Sequence, residues 1–308
     1  MRQIADFMRN NRIRTAFLAL VLLSIIWGYN WVVMKVALKD CGPFTFGAFR
    51  TFLGALTLFI VLFVRGGSVL PKAFPGVILL GLLQTTGFIG FMMWALEVGG
   101  AGKTAILVYT MPFWTLVLAR VFLKERFYGL QWIAAILAFS GLVFVFNPWD
   151  FHRSLLSEVF AVLSGMSWAA SVVVAKRLQQ KEIDLLTLTA WQMLIGSIPL
   201  IVAGIIESGL RIHWTGYFIG ALLYNIFPCN ALAFLLWLFI VRNLSAGVAG
   251  MGSLITPLFG VFCAWVILGE TPGYIEGLGM LLISAALLIL SVMALSFHYN
   301  NKTGKKLR

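Results

Sequence analysis

The segment VGGAGKTAIL, residues 98–107, contains the Gly-Lys-Thr with which a phosphate-binding loop ends. Such a loop has the pattern G-x-x-x-x-G-K-[ST], because its first glycine permits the turn that wraps backbone N–H groups around the phosphates. Counting back from Gly102, that first position is Glu97, whose carboxylate would repel a phosphate. We therefore interpret the segment as the small-residue start of a tightly packed helix, and we expect the chain to bind no nucleotide.

Other reactive constellations are missing from the sequence as well. It has no G-x-S-x-G and no H-E-x-x-H, and no apolar segment holds a pair of carboxylates. Its cysteines, Cys41, Cys229 and Cys263, are an odd and scattered set, which argues against disulfides and zinc sites. We expect a protein that is not an enzyme and that uses no cofactor and no metal.

The composition indicates a membrane protein. The chain is 61% hydrophobic and 11% charged, whereas soluble domains are roughly 45–50% apolar and about 25% charged. Ten apolar runs are long enough to cross a bilayer as helices. They cover residues 15–38, 43–64, 74–96, 102–123, 127–146, 154–174, 185–206, 214–240, 244–268 and 272–296. The sequence therefore predicts an all-α polytopic membrane protein with ten transmembrane helices.

The net charge of +12 is distributed asymmetrically between the connecting segments. With the N-terminus inside the cell, 17 of the 23 Lys and Arg residues lie inside and five lie outside, with Arg50 within a span. This is the positive-inside pattern, so both basic tails, 1–14 and 297–308, are predicted to be cytoplasmic. We therefore attribute the positive charge to the orientation of the chain in the membrane, and we expect no nucleic-acid partner. The first apolar run is too long for a cleaved signal peptide.

The two halves of the chain match each other. WGYNWVVMK in the first half aligns with WAASVVVAK, displaced by 141 residues, so that Trp27 matches Trp168. Arg50 aligns with Gln192, displaced by 142, and the segments beginning at Ala101 and Ala246 align without gaps, displaced by 145. The halves are residues 15–146 and 154–296, joined by the linker 147–153. Five spans in each half force the second to insert upside down, which predicts two inverted five-helix repeats, the plan of many secondary transporters.

At these same residues the chain resembles the drug/metabolite transporter superfamily, and within it the ten-helix EamA-type permeases. The resemblance rests on WGYNWVVMK and SWAASVVVAK, and on the proline-to-glutamate segments MPFWTLVLARVFLKER and TPLFGVFCAWVILGE. The chain is most similar to the amino-acid exporter branch, including exporters of aromatic amino acids. The resemblance implies export of small metabolites, foremost neutral and aromatic amino acids, across a bacterial inner membrane.

Polar and aromatic side chains near span centres are the candidates for a substrate pocket, because polar groups in hydrocarbon need partners and should point inward. An alternative role for any one of them is to hold helices together. These candidates are Trp27, Asn30, Gln84, Tyr109, Trp168, Tyr224, Asn225 and Asn230.

Arg50 stands about seven residues into the second span. A guanidinium facing lipid would cost about 2.5–3.5 kcal/mol or more, so it should face protein, water or substrate. It could bind a substrate carboxylate in a fork. The alternative is a structural arginine that is bonded to carbonyl groups or reaches outward to the interface.

Repeat-related pairs supply the remaining candidates. Trp94 and Trp237, displaced by 143, either line a permeation path or anchor the membrane interface. Pro228 should interrupt the eighth span, and Pro112 and Pro257 suit paired hinges or paired kinks. The matched glutamates close their helices and serve either interfacial salt bridges or gating contacts between the halves. They are Glu125 and Glu270.

Together these features predict a secondary transporter that works by alternating access through a central cavity between the halves. Its partners are a small-molecule substrate and the lipid bilayer, and we expect a monomer. Facilitated movement is the leading hypothesis because no titratable carboxylate or histidine lies mid-span, and proton exchange through a carboxylate at the membrane edge is the second. The alternatives are a permease for drugs or other metabolites on the same fold and a membrane protein that does not transport.

Overall fold

The structure is a computed structural model that describes residues 2–66, 70–71, 73–122, 129–146, 155–179, 184–233, 236, 240 and 246–303. The predictions for Glu125, Trp237 and the linker 147–153 lie outside the described residues. The helices are α1 (Arg2–Ala37), α2 (Pro43–Val64), α3 (Phe74–Gly81), α4 (Phe88–Val98), α5 (Ala101–Val108), α6 (Met111–Phe122), α7 (Leu130–Phe146), α8 (Leu156–Gln179), α9 (Leu185–Ser208), α10 (Gly216–Ile226), α11 (Ala246–Leu268) and α12 (Tyr274–Thr303), and the π-helical segments are π1 (Leu82–Gly87) and π2 (Phe227–Leu232).

Six helical stretches among the described residues are long and apolar enough to cross a membrane. Three shorter apolar helices accompany them, at Leu130–Phe146, Ile255–Leu268 and Tyr274–Ile289. The prediction of an all-helical membrane protein is therefore confirmed, while the number of ten spans stays a prediction. The six are Leu18–Ala37, Pro43–Val64, Phe74–Val98, Ala101–Phe122, Leu156–Ala175 and Leu185–Ser208.

Local sequence signals explain where several helices begin and end. Asp184 precedes α9 and its carboxylate accepts a hydrogen bond from the N–H of Thr187 at 2.9 Å, and the Thr215 hydroxyl accepts one from the N–H of Phe218 at 3.0 Å. Such N-caps satisfy backbone donors that have no partner within the helix. Gly209, with φ of 63°, ends α9 in the left-handed conformation that glycine adopts readily.

Three of the predicted spans are interrupted. The helix from Phe74 to Val98 contains π1, and α10 runs into π2, which includes Pro228, where the sequence predicts an interruption. The span that starts at Ala101 breaks at the turn Tyr109–Thr110, so Pro112 is the second residue of a new helix, a position that tolerates proline. Its repeat counterpart Pro257 lies inside a continuous α11.

Helices of the two halves pack against each other as α2 with α9, α7 with α12, α1 with α11, and α4 and α6 with α8. Small residues allow the closest of these approaches. A Cβ atom on Gly141 of α7 would lie 2.7 Å from the carbonyl oxygen of Gly279 in α12, and one on Gly279 would lie 2.6 Å from that of Gly141. The backbones of α7 and α12 therefore meet directly.

Connecting segments are bonded together at one end of the bundle, which we call the Glu270 end. It comprises residues 38–42, 99–100, 209–215 and 269–273. The N–H of His213 donates to the carbonyl of Asp40 at 2.8 Å, and the hydroxyl of Thr215 donates to the Asp40 carboxylate at 2.8 Å. Helices α1, α4, α9 and α11 end there, whereas α2, α5, α10 and α12 begin there.

Candidate functional site

The predicted pocket residues Trp27 and Tyr224 join α1 to α10 and π2. The indole N–H of Trp27 donates to the carbonyl of Cys229 at 3.2 Å. The Tyr224 hydroxyl donates to the carbonyl of Ile26 at 2.9 Å, and the Tyr224 ring stands edge-on to Tyr29, with centroids 5.8 Å apart. Both polar groups are thus satisfied by backbone oxygens of a neighbouring helix, which holds the three elements together.

Asn230 brings α2 to the same place. Its side-chain amide donates to the carbonyl of Arg50 at 3.3 Å, and a Cβ atom on Gly54, one turn further along α2, would lie 3.3 Å from the amide carbon of Asn230. The structure therefore gathers Trp27, Arg50, Tyr224 and Asn230 at the meeting of α1, α2, α10 and π2. We call these four residues, together with Asn30, the Arg50 cluster.

The guanidinium of Arg50 is poorly satisfied. The residue is only 8% exposed. Its Nη1 donates to the sulfur of Met34 at 2.7 Å, and a thioether is a weak acceptor. Its Nε has no partner among the described residues. The two ion pairs observed among the described residues join Lys103 to Glu158 and Glu276 and do not involve Arg50. Among the described residues, the Arg50 guanidinium thus has a sulfur atom and no carbonyl oxygen as its hydrogen-bond partner.

Two predicted asparagines are buried with unpartnered carbonyl oxygens. The Oδ1 atoms of Asn30 in α1 and Asn225 in α10 accept no hydrogen bond within the described residues. The Asn225 amide N–H donates to the carbonyl of Ala221, one turn earlier in its own helix, at 2.9 Å. An unsatisfied buried polar group costs about 1–3 kcal/mol, so these oxygens need an explanation.

Gln84 and Trp168 lie on π1 and α8, which pack against each other. The Trp168 ring packs on Phe88 with centroids 4.7 Å apart, and Gln84 is half-buried within π1. The hydroxyl of Thr85 donates to the Gln192 carbonyl oxygen at 2.8 Å. Neither Thr85 nor Gln192 was among the sequence candidates. The alignment of Gln192 with Arg50 was a sequence signal for Gln192.

Tyr109 and Trp94 occupy two further places. Tyr109 is buried at the turn between α5 and α6, and its ring stands edge-on to Trp31 with centroids 6.5 Å apart. Trp94 packs on Phe160 with centroids 4.2 Å apart. The next residue, Ala95, accepts a hydrogen bond from Ser157 at 3.0 Å, which places Trp94 towards the Glu270 end.

Glu270 links the two halves directly. Its carboxylate accepts hydrogen bonds from the backbone N–H groups of Ala101 at 2.8 Å and Gly102 at 3.0 Å, at the start of α5. A helix N-terminus with free N–H groups is a good anion site, and here the anion is a carboxylate of the chain itself. The tight packing predicted for this segment is present, because a Cβ on Gly102 would lie 3.3 Å from the Cα of Val261.

Lys103 forms a buried charge cluster beside this contact. Its ammonium group lies 2.8 Å from a carboxylate oxygen of Glu276 and 3.1 Å from one of Glu158. Lys35 adds hydrogen bonds to the carbonyls of Leu96 at 2.6 Å and Glu97 at 2.7 Å. Sequence reasoning placed these charges at the membrane edge but did not pair them. The described residues at the Glu270 end are therefore closely bonded between the halves.

The donor sets in the described part of the chain do not form a metal site. No group of three or more His, Cys, Asp or Glu residues is arranged there to hold an ion. The polar groups of the Arg50 cluster can donate hydrogen bonds to a bound molecule and accept them from it.

The EamA-like transporter family matches this chain twice, at residues 14–147 and 155–292. The uncharacterized transporter YvbV of Bacillus subtilis (strain 168) is 31% identical over 280 residues, which cover 89% of this chain and 91% of that protein. A probable amino-acid metabolite efflux pump of Salmonella typhimurium (strain LT2) is 27% identical over 290 residues, covering 90% and 94% respectively.

A solved crystal structure has the same fold. It aligns with 92% of this chain and 99% of its own, with a TM-score of 0.65 and 16% sequence identity. The family matches cover both halves of the sequence, and apolar helices make up most of the described residues. The chain is an integral membrane transporter and belongs to the EamA-like transporter family.

Proposed function

We propose that this protein is a secondary transporter that exports small zwitterionic metabolites, foremost neutral and aromatic amino acids, across a bacterial inner membrane. The observation that carries the proposal is a bundle closed at the Glu270 end by contacts between its halves, with buried, unsatisfied polar groups in the Arg50 cluster. The name of the Salmonella relative, an amino-acid metabolite efflux pump, supports the substrate class.

The two halves are inverted repeats in this proposal, and helix direction supports it. Helix α2 begins at the Glu270 end, whereas its repeat counterpart α9 ends there. Helix α5 likewise begins there, whereas the aligned helix α11 ends there. Counterparts that run in opposite directions through one bundle are expected of halves inserted with opposite orientation.

Two hydrogen bonds related by the repeat add to this support. Thr85 of π1 bonds to Gln192 of α9, and Asn230 of π2 bonds to Arg50 of α2. Arg50 and Gln192 are 142 residues apart, as in the sequence repeat, and Thr85 and Asn230 are 145 apart, two more than the 143 between Trp94 and Trp237 of the same two spans. Reciprocal contacts of this kind are expected around a two-fold axis.

The closed Glu270 end is the outer face in this proposal, because the positive-inside rule gives cytoplasmic termini. Outward release of substrate then requires the halves to rock apart there. The Glu270 cap on α5 and the Lys103 ion pairs must break in that step. We infer that they stabilise the state that is closed to the outside.

Energy coupling in the proposal is facilitative, so substrate moves down its own gradient. The carboxylates Glu97, Glu158, Glu207, Glu270 and Glu276 lie at or next to the Glu270 end, away from the Arg50 cluster. Proton-driven carriers commonly hold a titratable acid within the membrane. Transport that is insensitive to an imposed proton gradient is therefore the expected behaviour.

Counterflow in liposomes tests the proposal. Purified protein, shown to be folded by a cooperative thermal transition, is reconstituted, and labelled phenylalanine, threonine, lysine and glutamate are compared with and without a proton gradient. Accelerated exchange of the neutral amino acids, unchanged by the gradient, is expected, with protein-free liposomes as the control. Folded protein that exchanges no amino acid would refute the amino-acid assignment and favour a permease for drugs or other metabolites.

A further inference from the structure

Two buried groups of opposite hydrogen-bonding character, one on α1 and one on α2, lack partners among the described residues. Arg50 Nε is an unpartnered donor and Asn30 Oδ1 is an unpartnered acceptor within the described part of the chain. The Arg50 guanidinium reaches Met34 of α1, and Asn30 lies one helical turn before Met34. Residues four apart on a helix share a face, about 5–6 Å apart at Cβ.

The missing partner of Arg50 should be an anion. A guanidinium has five N–H donors in a planar fork that matches a carboxylate in two parallel bonds. Its observed acceptor is a thioether sulfur, and the carboxylates of Glu158 and Glu276 pair with Lys103. Burying an unpaired charge costs several kcal/mol, so a bound carboxylate would satisfy a group that the described chain leaves unsatisfied.

The missing partner of Asn30 should be a donor, and Asn30 is a less enclosed residue than Asn225, which carries the other unpartnered carbonyl oxygen. Asn225 is 0% exposed and is enclosed by its own helix, whereas Asn30 is 5% and Arg50 8% exposed. As residues, Asn30 and Arg50 keep a small accessible surface, whereas the two unpartnered atoms, Oδ1 and Nε, are themselves buried. A ligand would therefore reach them when the halves move apart. A ligand that offers a carboxylate and, a few ångströms away, a donating ammonium group would satisfy both.

We propose that Arg50 binds the α-carboxylate of a transported amino acid and that Asn30 Oδ1 accepts a hydrogen bond from its α-ammonium group. This inference rests on the proposed function and deepens it, because it assigns the zwitterionic head group to two named residues. The side chain of the substrate would then extend towards the aromatic rings of the Arg50 cluster, Trp27 and Tyr224. Recognition of the head group alone leaves the transporter tolerant of different side chains.

Analogues that lack one charge test the two contacts separately. Phenylalanine is compared with phenylethylamine, which lacks the carboxylate, and with 3-phenylpropionate, which lacks the ammonium group, as competitors of labelled phenylalanine counterflow. We expect each analogue to compete at least about tenfold more weakly, since loss of one charge-assisted hydrogen bond of about 1.5–3 kcal/mol lowers affinity by that factor or more.

Variants assign each preference to its residue. Arg50→Gln should abolish the preference for phenylalanine over phenylethylamine while it keeps the preference over 3-phenylpropionate, and Asn30→Leu should do the reverse. A residue that only holds helices together would lower all rates without changing these ratios. The matched control is Gln192→Leu at the repeat position of Arg50, which should leave both ratios unchanged because Thr85 occupies that amide.

The outcomes separate this inference from the proposed function. Exchange of no amino acid refutes the proposed function. Exchange in which phenylethylamine competes as well as phenylalanine, or in which Arg50→Gln leaves the ratio intact, refutes the head-group assignment alone. If Arg50→Gln does not fold, Arg50→Lys keeps the charge without the planar fork and should weaken phenylalanine competition at least about tenfold relative to phenylethylamine. An unchanged ratio in that variant overturns the Arg50 contact.

Discussion

Glu270 and Ala101, one from each half of the chain, are joined by a hydrogen bond of 2.8 Å from the Ala101 backbone N–H to the carboxylate. The bond caps α5 at the segment that resembles a phosphate-binding loop. Free backbone N–H groups and the helix dipole can bind a phosphate at a helix N-terminus. Here they bind a carboxylate from the other half of the chain. An opening of the bundle at this end must separate the two residues.

Replacement of Glu270 should therefore destabilise the closed state. We expect Glu270→Ala to lower the stability by about 1–2 kcal/mol, as the loss of an N-cap and of a favourable charge at a helix start does. Glu270→Gln should cost less, because one acceptor oxygen remains. Thermal unfolding in detergent measures both. Glu97→Gln at the same end is the control, and a loss from it as large as that from Glu270→Ala would contradict the cap.

Lys103 is the residue at this end whose removal should cost most. Lys103→Gln leaves the carboxylates of Glu158 and Glu276 without the cation that both now contact. Breaking a buried ion pair from one side costs about 3–5 kcal/mol. Adding Glu276→Gln to Lys103→Gln should restore part of the loss, since one of the two repelling charges is then gone.

The control for Lys103 is Lys39→Gln, an exposed lysine at the same end of the bundle. Its stability should change by no more than about 0.5 kcal/mol. The pairing would be wrong if the double variant Lys103→Gln/Glu276→Gln were less stable than Lys103→Gln alone in the same unfolding measurement.

Sequence signals were sufficient where structure follows from local chemistry. Helix α2 begins at Pro43 and ends at Val64, as its apolar run predicts. Helix α9 begins at the predicted Leu185 because Asp184 caps it. The segment π1 has no such signal, since it contains no proline, and its polar residues Gln84, Thr85 and Thr86 do not predict a change of helix type. Its freed carbonyls are satisfied across the bundle, for example by Ser167, which donates to Leu83 at 2.7 Å.

The candidate site was predictable in its residue types but not in its pairings. Arg50 and Asn30 stand out as polar groups within apolar runs, and their burial follows from the cost of exposing them to lipid. That Arg50 meets Met34 depends on how α1 and α2 pack. The partner of Glu270, likewise, is a pair of backbone N–H groups 168 and 169 residues away, which carry no side-chain signal.

The glycine contact between α7 and α12 predicts a steric effect. A methyl group on Gly141 would meet the carbonyl of Gly279 at 2.7 Å and the Ile283 side chain at 2.8 Å. Gly141→Ala should therefore push the helices apart and destabilise the protein by about 1–3 kcal/mol. Gly277→Ala in α12 is the control, because a Cβ there has no atom within 4 Å. Thermal unfolding measures the stability of both variants. A Gly277→Ala variant less stable than Gly141→Ala would contradict the contact.

The hydrogen bond between Thr85 and Gln192 should show as an interaction energy. A double-mutant cycle of Thr85→Val and Gln192→Leu should give a coupling of about 0.6 kcal/mol, the average for hydrogen bonds between transmembrane helices. The cycle of Thr57→Val with Gln192→Leu is the control, because Thr57 donates to Leu53 of its own helix. Equal coupling in both cycles would argue against a specific bond.

Cys41 lies buried in the connection between α1 and α2 and can report on opening of the Glu270 end. Burial, followed by the negative charges of Asp40, Glu207 and Glu97, raises the pKa of its thiol to about 12. A raised thiol pKa leaves little of the reactive thiolate at neutral pH, and that fraction grows about tenfold for each pH unit below the pKa. An ordinary thiol of pKa about 8.5 would instead level off above pH 9.

In a variant with Cys229→Ala and Cys263→Ala, Cys41 is the remaining cysteine of the three in the sequence. Its alkylation by a membrane-impermeant maleimide, added outside right-side-out vesicles, should be slow at pH 7 and should still rise about tenfold per unit between pH 8 and 10. Adding Glu270→Ala should speed the reaction at every pH, because a more open end exposes the thiol and lowers its pKa towards the ordinary value. If the alkylation rate of Cys41 levels off near pH 9 without that substitution, the Glu270 end is already open. If Cys41 is alkylated only by reagent added on the inner side, the Glu270 end faces the cytoplasm and the proposed orientation is wrong.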